Sequence, residues 1–577
     1  MSYFLKITEK KGDKYLQIYD SSRVKGRRNN VSKCVRSLGY LSKLTTTEMP
    51  DPIAHYREYC REENRKRKDA KRLRSAETVG DEELELFAGN ALVDAFLGSV
   101  GSLRLIKMRS RVYERGGKLD YAGILRDLIS ARLIAPASKL RTYEGVIPQL
   151  YRHGDYSLDD VYDALDGLGE DYDGGIEMFN LGIKGLYDFR TDRTYFDCTN
   201  FYFEIDKEDE WRRKGPSKEN RKDPILGLGL LLDANCVPIG MKIYPGNASE
   251  KPVQREIVKE LKESSRIGGR TVVVADKGLN CARNIHAALS ANDGYIYSKS
   301  VASLPEREKR WVLNEEGPQD AAYVAKNDAG EVVFMRKSCV DWFDYSFAEE
   351  GSGGKTETRF KALEKRVAYF SKDLRDKKLR ELRRMREKLG DLIVSKAKRE
   401  EYGPYSPYVK ITSASKGSIS VSLNEERFEE DERLAGYNMI VTSEAKESDE
   451  GIYDTYHRLW RIEETFRIMK TDLSARPVYL QRINRIKGHF LVCYLAVAIL
   501  RLYQFVYLRN ERKPGEILDF IRKFRVVKFG DVFVNVTKRQ AIMEDLNGLF
   551  GLPLDRRFYE AKTLDGLYEA KLKSTTN

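Results

Sequence analysis

The sequence predicts a mixed α/β protein: a sheet of parallel and antiparallel strands flanked by helices, preceded by a helical region and interrupted by a charged insertion. Three observations carry this. The runs Thr194–Glu204, Pro224–Asp233, Val237–Tyr244 and Arg270–Asp276 are apolar or aromatic and bounded by turn residues, as strands are. Helical spacing follows them at 252–264 and around His286–Leu289, which gives strands and then a strand–helix alternation. At 577 residues the chain exceeds the size at which a single core divides, so several domains are expected.

In chain order, residues 1–75 alternate apolar and polar positions (Tyr3, Leu5, Ile7; Tyr15, Gln17, Tyr19) and then become a charged helix. That predicts a small strand-rich module with a basic helix. Arg61 to Arg74 holds eight basic and three acidic residues, which fits either a solvated face or a phosphate contact. Residues 76–186 show helical spacing, as in Ala91-Leu92-Val93-Phe96-Leu97, and form an expected helical domain. Residues 187–299 are the first half of the sheet, with a turn at Ala234-Asn235. Residues 300–435 interrupt it. They contain the glycine linker Gly351-Ser-Gly-Gly354 and then Lys355 to Glu400, with 17 basic and 8 acidic residues. Leu363, Val367, Phe370 and Leu374 predict a long packed helix there. The sheet resumes over 436–514 with Gly436–Ser443, a helix from about Tyr453 to Lys470 and another from about Ile486 to Tyr507. Residues 515–577 form a small mixed region.

The net charge is +13, which points to a polyanionic partner, most commonly nucleic acid. Hydrophobic residues make up 41% of the chain, enough to build cores, so a globular protein is favoured over a disordered one. The seven cysteines are odd in number and none sits in a Cys-x-x-Cys pair. This argues against a disulfide framework or zinc knuckle and for a reducing compartment. The first residues carry no apolar run of signal-peptide type. The longest apolar stretch, Phe490 to Leu500, falls short of the ~20 residues that span a bilayer and is expected to be a buried helix. A cytoplasmic protein is the expectation, with no membrane partner.

Three carboxylates stand where chemistry would need them. Asp197 lies inside an aromatic strand, where a charge requires a partner or a metal. Asp276 ends a short apolar strand, the position at which open α/β sheets place ligands, with an N-cap for the following helix as the other reading. The helical spacing puts Tyr456, Trp460, Glu463, Arg467 and Lys470 on one face. A carboxylate beside an aromatic ring and two cations suits a metal site next to a phosphodiester. Ion pairing within the helix would explain the same spacing, and Glu464, about 100° around the helix, is the rival carboxylate. Three carboxylates give the hard oxygen site that Mg²⁺ prefers. Two such ions activate a water or 3′ hydroxyl and stabilise the leaving oxygen of an in-line phosphoryl displacement.

These residues resemble a known family. Tyr195-Phe-Asp-Cys-Thr, Gly215-Pro-Ser-Lys218, Pro245-Gly-Asn-Ala-Ser-Glu250, Val274-Ala-Asp-Lys-Gly278 and Arg132 to Lys139 are similar to segments of bacterial insertion-sequence DDE transposases. In that family a Tyr–Arg–Glu–Lys signature surrounds the catalytic Glu. Tyr456, Glu463 and Lys470 match its spacing, while Leu459 stands in the Arg slot with Arg458 and Arg461 nearby. The resemblance covers nearly the whole chain. It implies an RNase H-like core interrupted by an insertion domain, and an N-terminal helical region that binds terminal inverted repeats. It also implies Asp197, Asp276 and Glu463 as the catalytic and metal-binding set for two Mg²⁺ or Mn²⁺ ions. Lys470, Arg467, Tyr456, Lys218, Arg461 and Lys277 would contact DNA. Trp311 and Trp342 are candidates for stacking on a flipped base, with core packing as the other reading of each. Relatives act as homodimers on paired transposon ends.

The resulting expectation is a transposase that cleaves and transfers strands at element ends, working at the bacterial nucleoid. Two alternatives share the sequence: a structure-selective nuclease on the same fold, and an inactive, domesticated DNA-binding protein.

Overall fold

A charged N-terminal segment folds around its few apolar residues. The computed structural model describes residues 2–10, 12–22, 31–47, 49–74, 85–110, 119–216, 218, 222–264, 266–314, 323–351, 354–394, 405–413 and 419–572. They divide into two units, Met1–Leu84 and Glu85–Asn577. In the first, β1 (Ser2–Lys10), β2 (Asp13–Ser22) and β3 (Val31–Tyr40) form an antiparallel sheet that buries Leu16 and Ile18. The helix Pro52–Arg74 docks on it through polar contacts. Asn64 bonds both backbone groups of Tyr3, at 2.6 and 2.8 Å. Arg67 bonds Asp20 at 2.8 Å and lies 3.8 Å over the Tyr3 ring, so this arginine of the basic run is engaged in the fold.

The second unit contains β4 (Glu85–Phe87), β5 (Arg193–Tyr202), β6 (Ile225–Leu232), β7 (Pro238–Pro245), β8 (Val272–Ala275), β9 (Gly294–Lys299), β10 (Tyr323–Lys326), β11 (Val332–Gly351), β12 (Gly354–Ser371), β13 (Val409–Ser413), β14 (Ile419–Leu423), β15 (Tyr437–Thr442), β16 (Arg525–Phe529), β17 (Val532–Asn535) and β18 (Phe558–Glu560). Nine of them make one mixed sheet in the order β10-β11-β12-β15-β9-β8-β5-β6-β7. Hairpins join β5, β6 and β7 antiparallel. Helical crossovers leave β5, β8 and β9 parallel, since a parallel connection needs a crossover of a dozen residues or more.

Alternation sends successive side chains to opposite faces. Tyr195, Val272 and Val274 join a core that includes the helix Ile483–Leu502. Phe196, Val273 and Ala275 join a second core with Ile257 and Ile285, from the helices Glu250–Glu263 and Ala282–Ser290. The sheet is therefore covered by helices on both sides. The helix run Ile483–Tyr507 is long and apolar enough to cross a membrane by length and composition, yet 89% of its apolar window is buried in the protein, so it serves here as a core helix. It crosses the helix Leu158–Glu170 closely enough that a Cβ on Gly488 would lie 2.3 Å from the Leu165 carbonyl oxygen.

The long helix expected from Lys355 begins instead at Lys372 and runs to Val394. Lys355 to Ser371 belong to β12, which pairs with β11 along its whole length, ending at Gly351↔Gly354. The first and last residues of the expected glycine linker thus pair at the end of a hairpin, and Ser352 and Gly353 lie outside the described residues. The alternation was hidden because one strand face carries charge. Glu364, fully buried, accepts from Tyr295 at 2.6 Å and Tyr345 at 2.8 Å and pairs with Arg366 at 3.2 Å. The hairpin extends the central sheet through β12 and β15. The helix Lys372–Val394 packs Leu382 and Leu389 against Phe428 and Val409 in a small separate core. Residues 515–577 do not stand apart either, because β16, β17 and β18 form a sheet with β4.

Candidate active site

Strand register brings the first two carboxylates together. The last pair between the parallel strands β5 and β8 is Tyr195↔Val274. Asp197 and Asp276 each lie two positions further on, so they sit side by side and share the face of Tyr195 and Val274. That face is the one covered by the helices Trp460–Arg467 and Ile483–Leu502.

Each carboxylate has a defined surround. The Cys198 N–H donates to Asp197 Oδ1 at 2.7 Å, and Lys218 Nζ stands 3.6 Å from the same oxygen. Burial pushes the Asp197 carboxyl up to about 6, against the pull of the Lys218 ammonium and the Cys198 N–H. Lys218 also donates to the Cys198 carbonyl and lies 3.9 Å from Glu250. Asp276 Oδ1 accepts from Ser298 at 3.0 Å and from the Tyr456 hydroxyl at 3.4 Å. Burial raises the Tyr456 phenol, and the charges of Asp276 and Glu463 add to that rise while the Ser298 hydrogen bond opposes it. Tyr456 therefore sits within electrostatic reach of both carboxylates.

The segment that carries Glu463 is not one regular helix. Asp449–His457 and Trp460–Arg467 are joined by a tight turn. Leu459, Arg461 and Ile462 donate to Tyr456, Arg458 and Leu459, three residues back, each at 3.0 Å. Such bonds advance the chain ~120° per residue instead of ~100°. A widened turn, Ile468–Asp472, follows. Of the face expected from a uniform helical period, Trp460, Glu463 and Arg467 stay together, while Tyr456 before the tight turn and Lys470 in the widened turn are half-buried. Leu459, Ile462 and Phe466 are buried, and Trp460, Glu463 and Arg467 are exposed. Leu459 faces the core, which leaves its slot without a cation.

Glu464 has a different environment. It accepts from Arg501 Nη1 at 2.9 Å, and Arg501 is fully buried. Arg501 also holds Thr465 at 2.8 Å and Gln504 at 2.6 Å. This ties the Glu463 helix to the core and marks Glu464 as its anchor, while Glu463 points outward.

The remaining candidates fall in several places. Lys470 Nζ lies 5.4 Å over the Phe201 ring of β5, four residues beyond Asp197. Arg467 is exposed, 3.9 Å from both Glu464 and Asp472. Arg461 turns aside, stacking on Trp460 at 4.0 Å and Phe505 at 5.3 Å. Lys277 is exposed in the turn after Asp276. Trp311 is half-buried against the second core, with Lys337 at 4.9 Å from its ring. Trp342 is 59% exposed on β11. Among the described residues, no three carboxylate, imidazole or thiolate groups stand close enough together to hold one ion. The structure thus brings Asp197 beside Asp276 and keeps Glu463 separate, across Tyr456. Ser298 and Glu250 were not singled out from the sequence. Glu250 closes the quoted segment Pro245–Glu250, whereas a serine ending a strand gives no signal of its own.

A family described as the transposase DDE domain matches residues 188–499, more than half of the chain, and that span contains all three carboxylates. The chain belongs to this family of DNA transposases. No curated protein matches it. Among solved structures it is similar to the piggyBac transposase synaptic complex with hairpin DNA, determined by cryo-electron microscopy. The identity is 9% and the TM-score 0.39, over 77% of this chain and 82% of that one.

Proposed function

We propose that the chain is the transposase of a bacterial insertion sequence and that it cleaves and joins DNA strands at the ends of that element. The observation that carries this reading is the register that sets Asp197, midway along β5, beside Asp276, just past the end of the parallel strand β8, facing the helix of Glu463. The order β7-β6-β5-β8-β9 supports the RNase H-like character of the core.

The donor set suits hard divalent cations, and the desolvated Asp197 gains from a cation beside it. Asp197, Asp276 and Glu463 would hold Mg²⁺ or Mn²⁺, two ions per site, which when bound supply Lewis acidity and an activated hydroxyl. Glu463 closes on the aspartate pair when DNA enters. Ser298 and Tyr456 orient Asp276. Lys218 offsets the charge of Asp197 and Glu250. Lys470, Arg467 and Lys277 take non-bridging oxygens of the phosphodiester. Two ends must be cut and joined together, so the working form is a homodimer on paired ends, acting at the nucleoid. The separation of Glu463 from the pair favours one second reading, a DNA-binding descendant that no longer cleaves.

Cleavage of labelled DNA carrying the element's own ends, with Mg²⁺, separates the two. Wild type is expected to cut at the element boundary, and Asp197→Asn to lose at least ~100-fold in rate while still binding. Equal cutting by Asp197→Asn would sink the proposal. End binding without cutting under either metal would establish the second reading.

A further inference from the structure

A cavity of about 530 Å³ lies beside the helix Ile483–Leu502, walled by residues 136–140, Ser474 and residues 476–480. Its lining is cationic, and no described lining residue is a carboxylate. Lys139 is only 6% exposed. Its ammonium meets His489 Nδ1 at 3.2 Å, and His489 Nε2 lies 3.1 Å from the Ala475 carbonyl. These partners assign the imidazole as neutral, accepting at Nδ1 and donating from Nε2. One of the three ammonium N–H groups is used in this way. Arg132, 5% exposed, bonds the carbonyls of Leu473, Ser474 and Ala137 at 3.2–3.3 Å and so fastens the two walls together. Arg476 completes the lining and lies 5.5 Å over the Tyr202 ring.

We propose that Arg132, Lys139 and Arg476 build a pocket for one phosphate of the bound DNA backbone. A buried ammonium without a counter-charge is unfavourable, and an oxyanion between Lys139 and Arg476 removes that penalty. Burial draws the Lys139 ammonium down to about 7, with the Arg132 charge adding to the fall, so the site holds a full charge best with an anion in place. Its position points to DNA as the source of that anion. Tyr202 follows Asp197 by five residues on β5, ~17 Å along the strand and about five phosphates along one DNA strand. The pocket therefore lies a few nucleotides from the proposed scissile bond, at the junction of the N-terminal helices with the loop that follows the catalytic helix. This inference rests on the DNA-processing reading above.

The test is anisotropy binding of a labelled 30-base-pair duplex to the full chain across a salt series, for wild type, Lys139→Gln and Arg476→Ala. Circular dichroism checks folding, and Arg476→Ala carries the test if Lys139→Gln fails to fold. Each folded variant is expected to lower the slope of log K against log salt by about 0.9, the loss of one phosphate contact, and to bind several-fold more weakly. An unchanged slope in a folded variant overturns the pocket while leaving DNA binding intact. No duplex binding by wild type overturns the DNA reading itself. Stabilisation of wild type, but not of Lys139→Gln, by inorganic phosphate with unchanged DNA slopes would overturn the backbone assignment and leave a small-anion site.

Discussion

At the scale of single residues, burial decides what a carboxylate can do. Asp94 lies in the helix Ala91–Val100 with its Oδ1 unmatched by any hydrogen bond and 3.8 Å from Arg126. Burial pushes its carboxyl up to about 7, with Asp127 adding to the rise and Arg126 opposing it. The folded state therefore binds more protons than the unfolded state between about 4 and 7, and stability falls as pH rises through that window. Asp94→Asn removes the ionisation, so its melting temperature is expected to fall less than that of wild type between pH 4 and 7. It should exceed wild type by about 2 °C at pH 8. Parallel melting curves for the two proteins across this range would contradict the assignment. Glu463 and Glu464 make the same point at the site. Neighbours in sequence, they differ because one faces a fully buried arginine and the other faces outward. Helical spacing separates the two by angle, but only the partner Arg501, 37 residues later, identifies the anchor.

At the scale of elements, the strands that position the site were legible because they are apolar on both faces. The runs around Asp197 and Asp276 appear as β5 and β8 with nearly their expected limits. The hairpin β11–β12 was not legible, because a buried Glu364–Arg366 pair interrupts its apolar face and its remaining apolar positions also fit a helical period. The tight turn before Glu463 was likewise hidden, since no proline or glycine marks it. Close helix packing gives a direct test at this scale. Gly488 faces the Leu165 carbonyl, and Gly169 faces that of Asn484, where an added Cβ would lie 1.7 Å away. Backbone on both sides leaves little room to yield. Gly488→Ala is expected to destabilise the second unit by about 1–3 kcal/mol, seen as a lower urea midpoint with an unchanged slope. An unchanged midpoint would show that the helices separate freely.

At the scale of the whole molecule, the charge balance, the mixed sheet and the order of three carboxylates were all visible in sequence. The joining of distant segments was not. Residues 300–435 contribute strands to the central sheet, and residues 515–577 pair with β4, through contacts that local periodicity cannot encode. The same long-range packing holds the Glu463 helix against β5, and it decides whether the third carboxylate is Glu463 or Glu464. The most direct measurement is Mg²⁺-dependent cleavage of end-containing DNA by Glu463→Gln and Glu464→Gln, with thermal unfolding of each. Glu463→Gln should abolish cutting and leave the melting temperature within a degree or so of wild type, as an exposed substitution does. Glu464→Gln should lose about 3 kcal/mol of stability by leaving the buried Arg501 charge without its counter-ion, and should still cut at temperatures where it is folded. Cleavage that survives in Glu463→Gln and vanishes in a folded Glu464→Gln would contradict the assignment of the site.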